Sequence, residues 1–459
     1  MKKINALEVV AASKFNRFHL FIFLWCFYAI GFDGYEIVMF GVGLPWMMDE
    51  WSLTSIQVGA MGSYSLIGMM LGALIFGPLA DKLGRKNILA ICMILFSLFT
   101  LGAGLAPNPI FFTVMRFISG LGMGGLMPNV ISLMTEYSPK RNRAIIVATM
   151  YCGYSLGGVV ASLVGMYIIP STDWRVLYWI GILPLLTLPF FMMKFPESLS
   201  YYLSRGQIDN ITDVLKKVDP DGNFSKTDDY QIEEMKESSK GFPVKKLFTN
   251  KRTVSTLAIW LAVFSCLLMV YGLNTWLPKM MQQSGYGLTS SLSFNMTLCI
   301  GQIFGSVIGG YYAEKIGHRR VLVILFGIGI FCFAGLSLTS NVILLYLLIL
   351  IGGACTVGTM NLANPYISEY YPREVRATGM GWALGIGRIG AILAPTLFAM
   401  VLATGIDSQT AFVFFAIPSL IAALALLLIQ EKHASFDTVE DVSLEEDSVL
   451  HSIQKEVIK

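Results

Sequence analysis

The chain has 459 residues, of which 55% are hydrophobic and 14% are charged, and its mean hydropathy is +0.64. Soluble domains carry about 25% charged residues, so this composition excludes a soluble globular protein and requires lipid around the exposed surface. The net charge of +3 gives no reason to expect nucleic acid as a partner.

Twelve apolar runs are long enough to cross a bilayer, which takes about 20 residues of α-helix. The first run follows basic residues but continues without a small-residue cleavage site, so we interpret it as a retained span and not as a signal peptide. The predicted fold class is an all-α integral membrane protein with twelve transmembrane helices. The spans lie near residues 18–44, 56–80, 87–106, 110–135, 142–169, 174–194, 253–281, 290–315, 320–339, 342–368, 375–403 and 409–430.

Two polar segments interrupt the apolar pattern. Residues 195–252 connect the sixth span to the seventh, and we expect short surface helices there. Residues 431–459 contain FDTVEDVSLEEDS, and this acidic composition predicts a disordered tail. The predicted organisation is a six-helix half over 1–194, a connector over 195–252, a second six-helix half over 253–430, and the tail.

Lysine and arginine are distributed unequally between the two sets of loops. Cytoplasmic loops carry the excess of these residues. One set carries only Arg175 and Lys279. We therefore expect both termini and the connector to be cytoplasmic, in a bacterial plasma membrane. The other set carries Lys2, Lys3, Lys14, Arg17, Lys82, Arg85, Lys86, Lys140, Arg141, Arg143, Lys315, Arg319, Arg320, Arg373 and Arg376.

Two separate motifs recur at one offset of 233 residues, from 77 to 310 and from 136 to 369. GPLADKLGRKN returns as GYYAEKIGHRR, and EYSPKRNRA returns as EYYPREVRA. A chain built from two copies of one unit is typical of membrane transporters, whose substrate site lies between the halves. The sequence thus predicts two pseudo-symmetric halves.

The first motif, GxxxDKxGRK, forms a charged turn between the second and third spans. Its glycines permit close helix approach, and its aspartate can pair with a base or cap a helix. The pattern resembles the signature loop of the major facilitator superfamily, which implies the major facilitator fold and a cytoplasmic gate that breaks and reforms during transport. We assign to this gate Gly77, Asp81, Gly84, Arg85, Glu136 and Arg143.

Ionisable residues inside spans are costly unless they are paired or hydrated. Four stand clearly within spans, namely Asp33, Glu36, Arg116 and Arg388. Charges needed only to build the fold should recur in both halves, but the positions related by the offset are neutral. We therefore interpret these four charges as functional. The neutral counterparts are, in the same order, Cys266, Met269, Ile349 and Ser155.

Depth in the membrane suggests a pairing among these charges. At the helical rise, Asp33 lies roughly 22 Å from the cytoplasmic start of its span and Arg116 roughly 9 Å from the external start of its own. In a core about 30 Å thick these heights are similar. We expect an Asp33–Arg116 ion pair that a proton could open, with Asp33, Glu36 and Arg116 forming the proton-coupling group.

Arg388 has no acidic neighbour in the spans of its own half. An unpaired guanidinium near a central cavity suits a carboxylate ligand, which it can hold through two parallel hydrogen bonds. The alternative is an arginine satisfied by backbone carbonyl groups.

The stretch FDGYEIVMFGVGLP, residues 32–45, resembles the DGxD-containing first span of the aromatic acid:proton symporters. Glu36 stands where that motif usually has Asp, so its carboxylate reaches one methylene further. YGLNTWLP, MPNVISLMTEYSPKRNR and GIGRIG also resemble this family, with the closest likeness to its benzoate transporters over residues 14–430. The resemblance implies import of a small aromatic carboxylate with protons.

The candidate substrate contacts are Arg388 and four aromatic or amide side chains. The latter could supply an aromatic wall and an amide contact, although plain packing is the alternative for each. They are Tyr35, Tyr271, Asn274 and Trp276.

Other functions stay open at this point. A carrier of nicotinate, another organic anion or a polyol, a drug exporter, and a membrane sensor without transport all fit the same composition. No phosphate-binding loop and no catalytic constellation stands out, so we expect no enzyme activity, cofactor or metal. The expected partners are an aromatic carboxylate, protons and the lipid bilayer, around a monomer.

Overall fold

The computed structural model describes residues 3–220, 222–231, 244–249, 251–372, 375–431 and 434. Lys2, Arg373, connector residues 232–243 and the acidic tail beyond Glu431, except Ala434, lie outside the described residues. Twelve helices are long and apolar enough to cross a membrane, which confirms the predicted spans.

We number these spans 1 to 12 in chain order. The first continues to Trp51, past the predicted end at residue 44, because the helix runs on through Pro45. The spans are Arg17–Trp51, Ser55–Leu83, Arg85–Gly104, Pro109–Glu136, Ile145–Ser171, Val176–Lys194, Thr253–Gln283, Leu288–Ile316, His318–Leu336, Val342–Tyr370, Arg376–Ala403 and Thr410–Leu428. We call spans 1–6 the N-terminal half and spans 7–12 the C-terminal half.

Several spans contain local breaks. Span 10 consists of two helices, Val342–Ala354 and Val357–Tyr370. Span 5 is the helix Arg143–Tyr167 followed by the 3₁₀ turn Ile169–Ser171. Span 6 begins with the short helix Val176–Trp179 and the 3₁₀ turn Ile180–Ile182, and it continues as the helix Leu183–Lys194. Span 12 begins with the 3₁₀ turn Thr410–Phe412 and continues as the helix Val413–Leu428.

Outside the spans, the N-terminus and the connector fold together. Strand β1 (Lys3–Asn5) pairs in parallel with β2 (Asp229–Gln231), a short ladder in a fold that is otherwise helical as predicted. The neighbouring helices are Ala6–Ala12, Leu199–Ser204, Ile208–Val218 and Val244–Leu247. We call residues 3–12 together with residues 199–220 and 222–231 the cap.

The cap is attached to the N-terminal half. Buried apolar side chains of its two longer helices, including Val10, Ile211 and Leu215, form its core. The backbone amide of Lys140, between spans 4 and 5, donates to the carbonyl oxygen of Ala11 at 2.9 Å. We call the end of the bundle that carries the cap the basic end, because Arg17, Arg85 and Arg143 begin helices there, and the other the opposite end.

The internal repeat extends to individual contacts. Arg85 pairs with Glu136 at 2.7 Å, and at the same offset His318 lies 3.2 Å from Glu369. The two halves therefore tie the start of their third span to the end of their fourth span in the same way.

A second contact repeats in the following loop. The guanidinium of Arg143 donates to the carbonyl oxygen of Ser138 at 3.2 Å, and that of Arg376 donates to the carbonyl oxygen of Tyr371 at 3.4 Å. In each half an arginine thus closes the turn that leads into the fifth span.

The two halves pack against each other toward the opposite end. Ser63 of span 2 donates to the carbonyl oxygen of Ile392 of span 11 at 2.6 Å, and Asn295 of span 8 donates to Ser162 of span 5 at 3.1 Å. These contacts close the opposite end around the space between the halves.

Two glycines of these spans that lie nearer the basic end have free space around them. A Cβ added at Gly77 of span 2, or at Gly385 of span 11, would meet no described atom within 4 Å. At these two positions, neither span is packed tightly against another described part of the chain.

Candidate functional site

A small cavity lies between the halves at the level of the intramembrane charges. Its volume is about 20 Å³, which is room for about one water molecule. Side chains of both halves line it, including Glu36, Phe40, Arg116, Tyr271, Thr275 and Pro395. Because both halves contribute, any movement between them changes this cavity.

Arg116 of span 4 forms an ion pair with Glu36 of span 1, and both side chains are buried. The rings of Phe40 and Tyr178 lie 5.4 Å and 5.9 Å from the guanidinium carbon, within the range of cation–π attraction. The predicted Asp33–Arg116 pair is therefore wrong, because the N-terminal half compensates Arg116 through Glu36.

Helical geometry accounts for this choice of partner. Three residues of an α-helix turn the side chain by about 300°, which leaves Asp33 and Glu36 roughly 60° apart around span 1. Their heights differ by only about 4.5 Å, so depth alone does not distinguish them. Of the two acids, Glu36 is the one on the side of span 1 that contacts Arg116 of span 4.

Asp33 interacts instead across the interface between the halves. Its side chain is buried, and its Oδ1 has no hydrogen-bond partner among the described residues. Arg388 of span 11 is close enough to interact with it electrostatically. Within the described part of the chain, no ion pair shorter than 4.0 Å joins the two.

Arg388 contacts a tyrosine of its own half and lies near two tyrosines of the other half. It is partly exposed, and its Nη1 donates to the hydroxyl of Tyr271 at 3.2 Å. Tyr151 and Tyr154 of span 5 lie close enough to interact electrostatically with both Arg388 and Asp33. Asp33 and Arg388, which belong to opposite halves, thus lie among the same tyrosine side chains without forming an ion pair with each other.

Of the four aromatic and amide residues predicted to contact substrate, the structure brings Tyr271 to the cavity. The hydroxyl of Tyr35 donates to the carbonyl oxygen of Leu177 at 2.8 Å, inside the N-terminal half. The indole Nε1 of Trp276 donates to the carbonyl oxygen of Pro395 at 2.9 Å. Both side chains are buried, and a role for them in binding stays a prediction.

Asn274 is buried beside the contact between spans 1 and 7. Its Nδ2 donates to the carbonyl oxygen of Val270 at 2.8 Å, while its Oδ1 has no partner among the described residues. A Cβ at Gly41 of span 1 would overlap the carbonyl oxygen of Asn274, so only glycine allows the halves to approach this closely there.

The predicted gate residues lie together at the basic end. Gly84 has a φ of +92°, which favours glycine, and it ends span 2. Arg85 and Glu136 form the ion pair described above, and Glu136 also accepts from the backbone amide of Ser200 at 3.0 Å. Asp81 is exposed and has no ion-pair partner in the described ranges.

Sequence reasoning missed Glu197 in this cluster. Its Oε1 accepts from the backbone amide of Lys86 at 2.9 Å and so caps the start of span 3. Its buried Oε2 has no partner in the described part of the protein, and a Cβ at Gly84 would overlap it. The signal was an acid within PESLSYYL directly after span 6.

Among the described residues, no group of three or more His, Cys, Asp or Glu side chains could hold a metal ion. The chemical groups of the site are carboxylates, guanidinium groups and tyrosine hydroxyls inside a membrane. Such groups bind anions and protons.

The family model for the Major Facilitator Superfamily matches residues 24–395 and 295–446. The benzoate transport protein of Acinetobacter baylyi is 35% identical over 436 residues, covering 94% of this chain and 94% of the relative. The gallate transporter of Pseudomonas putida is 32% identical, covering 88% and 90%. The 4-hydroxybenzoate transporter of the same species is 30% identical, covering 93% and 96%.

Solved structures agree on the fold. The partially occluded inward open conformation of the xylose transporter from E. coli matches with a TM-score of 0.71 at 17% identity, covering 90% of this chain and 98% of that one. The chain is therefore a multi-pass membrane transporter that belongs to the major facilitator superfamily, and its relatives there include transporters of aromatic acids.

Proposed function

We propose that the protein imports a small aromatic carboxylate together with protons by alternating access. The observation that carries this proposal is the electrostatic interaction between Asp33 and Arg388, which belong to opposite halves and form no direct ion pair. The names of the relatives support the aromatic acid as the substrate class.

In this mechanism the substrate carboxylate binds Arg388, whose planar fork suits two parallel hydrogen bonds. Tyr271, already hydrogen-bonded to Arg388, holds the guanidinium in position. The substrate then competes with Asp33 for the same positive charge. A buried carboxylate that loses its counter-charge is stable only as the neutral acid, so binding of substrate and binding of a proton to Asp33 favour each other.

The ion pair of Glu36 and Arg116 has a different position in this scheme. Both partners belong to the N-terminal half, so the pair stays together when the halves move. It lines the cavity on the side facing Tyr271 and keeps a positive group near the substrate path. A proton on Glu36 would release Arg116 as a second group for an anion.

The gate would operate at the two ends in turn. Contacts of span 2 with span 11, and of span 5 with span 8, hold the opposite end closed. The exposed Asp81 gains a partner when the basic end closes, and the Arg85–Glu136 pair keeps the loop in position. We place the basic end in the cytoplasm of a bacterium, following the excess of lysine and arginine there, and we propose that the monomer is the working unit.

Uptake into proteoliposomes tests the proposal. Purified protein is reconstituted, an inward proton gradient is imposed, and accumulation of labelled benzoate, 4-hydroxybenzoate, gallate, nicotinate and a polyol is measured. We expect accumulation of one or more aromatic acids above the external concentration, abolished by a protonophore. Binding without accumulation would indicate a sensor, and accumulation that ignores the proton gradient would contradict coupling.

A further inference from the structure

A second pocket lies at the basic end, where span 1 begins, span 6 ends and the cap lies above them. Its volume is about 540 Å³. It is separate from the cavity between the halves and belongs entirely to the N-terminal half and the cap. The residues that matter to its chemistry are Asn16, Arg17, Phe21, Phe190, Lys194 and Lys217.

Three positive charges converge on this pocket. Arg17 is the first residue of span 1, Lys194 is the last residue of span 6, and Lys217 lies in the last turn of the helix Ile208–Val218. All three are exposed, and none forms an ion pair with another described residue. The pocket is therefore electropositive at the level where the spans leave the membrane.

The floor of the pocket is apolar. Phe21 and Phe190 lie about one turn further into the membrane than Arg17 and Lys194, and their rings meet edge to face at 6.4 Å. Trp25 stacks on Phe190 at 6.0 Å. Cations above an aromatic floor match a ligand with a charged head and an apolar continuation, and a free inorganic anion would leave the floor unused.

The fold holds these groups in place. Nδ2 of Asn16 donates to the carbonyl oxygens of Lys217 and Val218, both at 2.9 Å, and so fixes the end of the cap helix over the start of span 1. At the internal offset, Phe190 and Lys194 correspond to Ala423 and Leu427. The C-terminal half thus builds its span 12 without these groups, so the scaffold does not require them.

We propose that this pocket binds an anionic phospholipid of the leaflet at the basic end. The phosphate lies among Arg17, Lys194 and Lys217, and the first part of an acyl chain lies against Phe21 and Phe190. The bound lipid joins the cap to spans 1 and 6, because its phosphate contacts cations of both.

The test measures lipid binding to the purified full-length chain in detergent by native mass spectrometry. The probes are dioleoylphosphatidylglycerol, dioleoylphosphatidylcholine, glycerophosphoglycerol and inorganic phosphate. Each Lys or Arg near an anionic lipid contributes about fivefold in affinity. We therefore expect phosphatidylglycerol to bind, and the triple variant Arg17→Gln, Lys194→Gln, Lys217→Gln to bind it about 100-fold more weakly.

A matched variant controls for general surface charge. Lys3→Gln, Lys14→Gln and Lys216→Gln remove the same charge from exposed positions at the same end, outside the pocket. This variant should bind phosphatidylglycerol as the wild type does. An equal loss of binding in both triple variants would overturn the proposal, because the attraction would then be diffuse.

Two further comparisons test whether the ligand is a lipid or a free anion. Phe21→Ala with Phe190→Ala should weaken phosphatidylglycerol clearly, whereas glycerophosphoglycerol and phosphate should bind the wild type poorly. Phosphate binding as tight as lipid binding would make this a free-anion site and overturn the assignment, as would phosphatidylcholine binding equal to phosphatidylglycerol. If the triple variant does not fold, Lys194→Gln alone should still show about a fivefold loss, and no loss would contradict the pocket.

Discussion

Arg116 forms an ion pair with Glu36 inside one half of the protein, whereas Asp33, one turn earlier on the same helix, interacts electrostatically with Arg388 of the other half. Two acids on one span thus experience different surroundings. A pair within one half keeps its geometry through a rocking movement, and a pair shared between halves does not. Coupling between substrate, proton and movement is therefore best sought at Asp33.

Asp33→Asn should abolish gradient-driven accumulation while the protein stays folded. The amide keeps the size of the side chain but cannot exchange a proton with the medium. We would compare uptake driven by a pH gradient with equilibrium exchange in proteoliposomes, using thermal unfolding as the control for folding. Wild-type accumulation by this variant would remove Asp33 from the coupling.

Arg388 should hold the substrate carboxylate. A charge-assisted contact of this kind contributes about 1.5–3 kcal/mol, or roughly 10- to 100-fold in affinity. Arg388→Lys retains the charge but loses the planar fork, so it should also bind clearly more weakly. In a direct binding assay the wild type should prefer the acid to its neutral amide, and Arg388→Ala should prefer it less. An unchanged preference would shift the carboxylate to Arg116.

Glu36→Gln should destabilise the protein, because it leaves the buried guanidinium of Arg116 without its counter-charge. Breaking a buried pair in this way costs about 3–5 kcal/mol. Thermal unfolding should show partial recovery in the double variant Glu36→Gln, Arg116→Gln, since both charges are then gone. Glu36→Asp keeps the charge and should retain uptake. A loss as complete as in Glu36→Gln would mean that the longer side chain is required.

Asp81→Asn should change the rate of the transport cycle and leave substrate affinity unchanged. The side chain is exposed at the basic end, away from the cavity between the halves. Exchange of labelled acid would report the rate, and equilibrium binding the affinity. Altered affinity at a normal exchange rate would assign Asp81 a role other than gating.

Alanine substitutions at two glycines should distinguish an effect on helix packing from an effect on the transport movement. A Cβ at Gly124 would overlap the backbone carbonyl oxygen of Met69, which cannot move aside, so Gly124→Ala should lower the unfolding temperature through overpacking worth about 1–3 kcal/mol. Gly385→Ala meets open space and should leave that temperature unchanged. If the basic end closes during transport, Gly385→Ala should still slow exchange, and normal exchange would argue against closure at that point.

Much of the fold could be predicted from the sequence. The apolar runs gave the number of spans, because span length is a property of the bilayer. The repeated loop motif predicted that the chain is duplicated, and the structure shows equivalent contacts in the two halves, such as Arg85–Glu136 and His318–Glu369. These features depend on local composition or on comparison of one half with the other.

The partners of the intramembrane charges could not be obtained in this way. Height along a span follows from residue number, but the direction of a side chain toward a neighbouring helix depends on how that helix is rotated. Asp33 and Glu36 are too close in height for depth to choose between them. Arg388 lacked an acid in its own half, and its partner became visible only with both halves in place.

The parallel pairing of Lys3–Asn5 with Asp229–Gln231 has a consequence for biogenesis. Synthesis proceeds from the N-terminus, so the first strand emerges long before its partner exists. All six spans of the N-terminal half are made before Gln231 leaves the ribosome. Strand β1 must therefore wait without its partner strand, and the ladder can form only once the whole first half of the transporter has been synthesised.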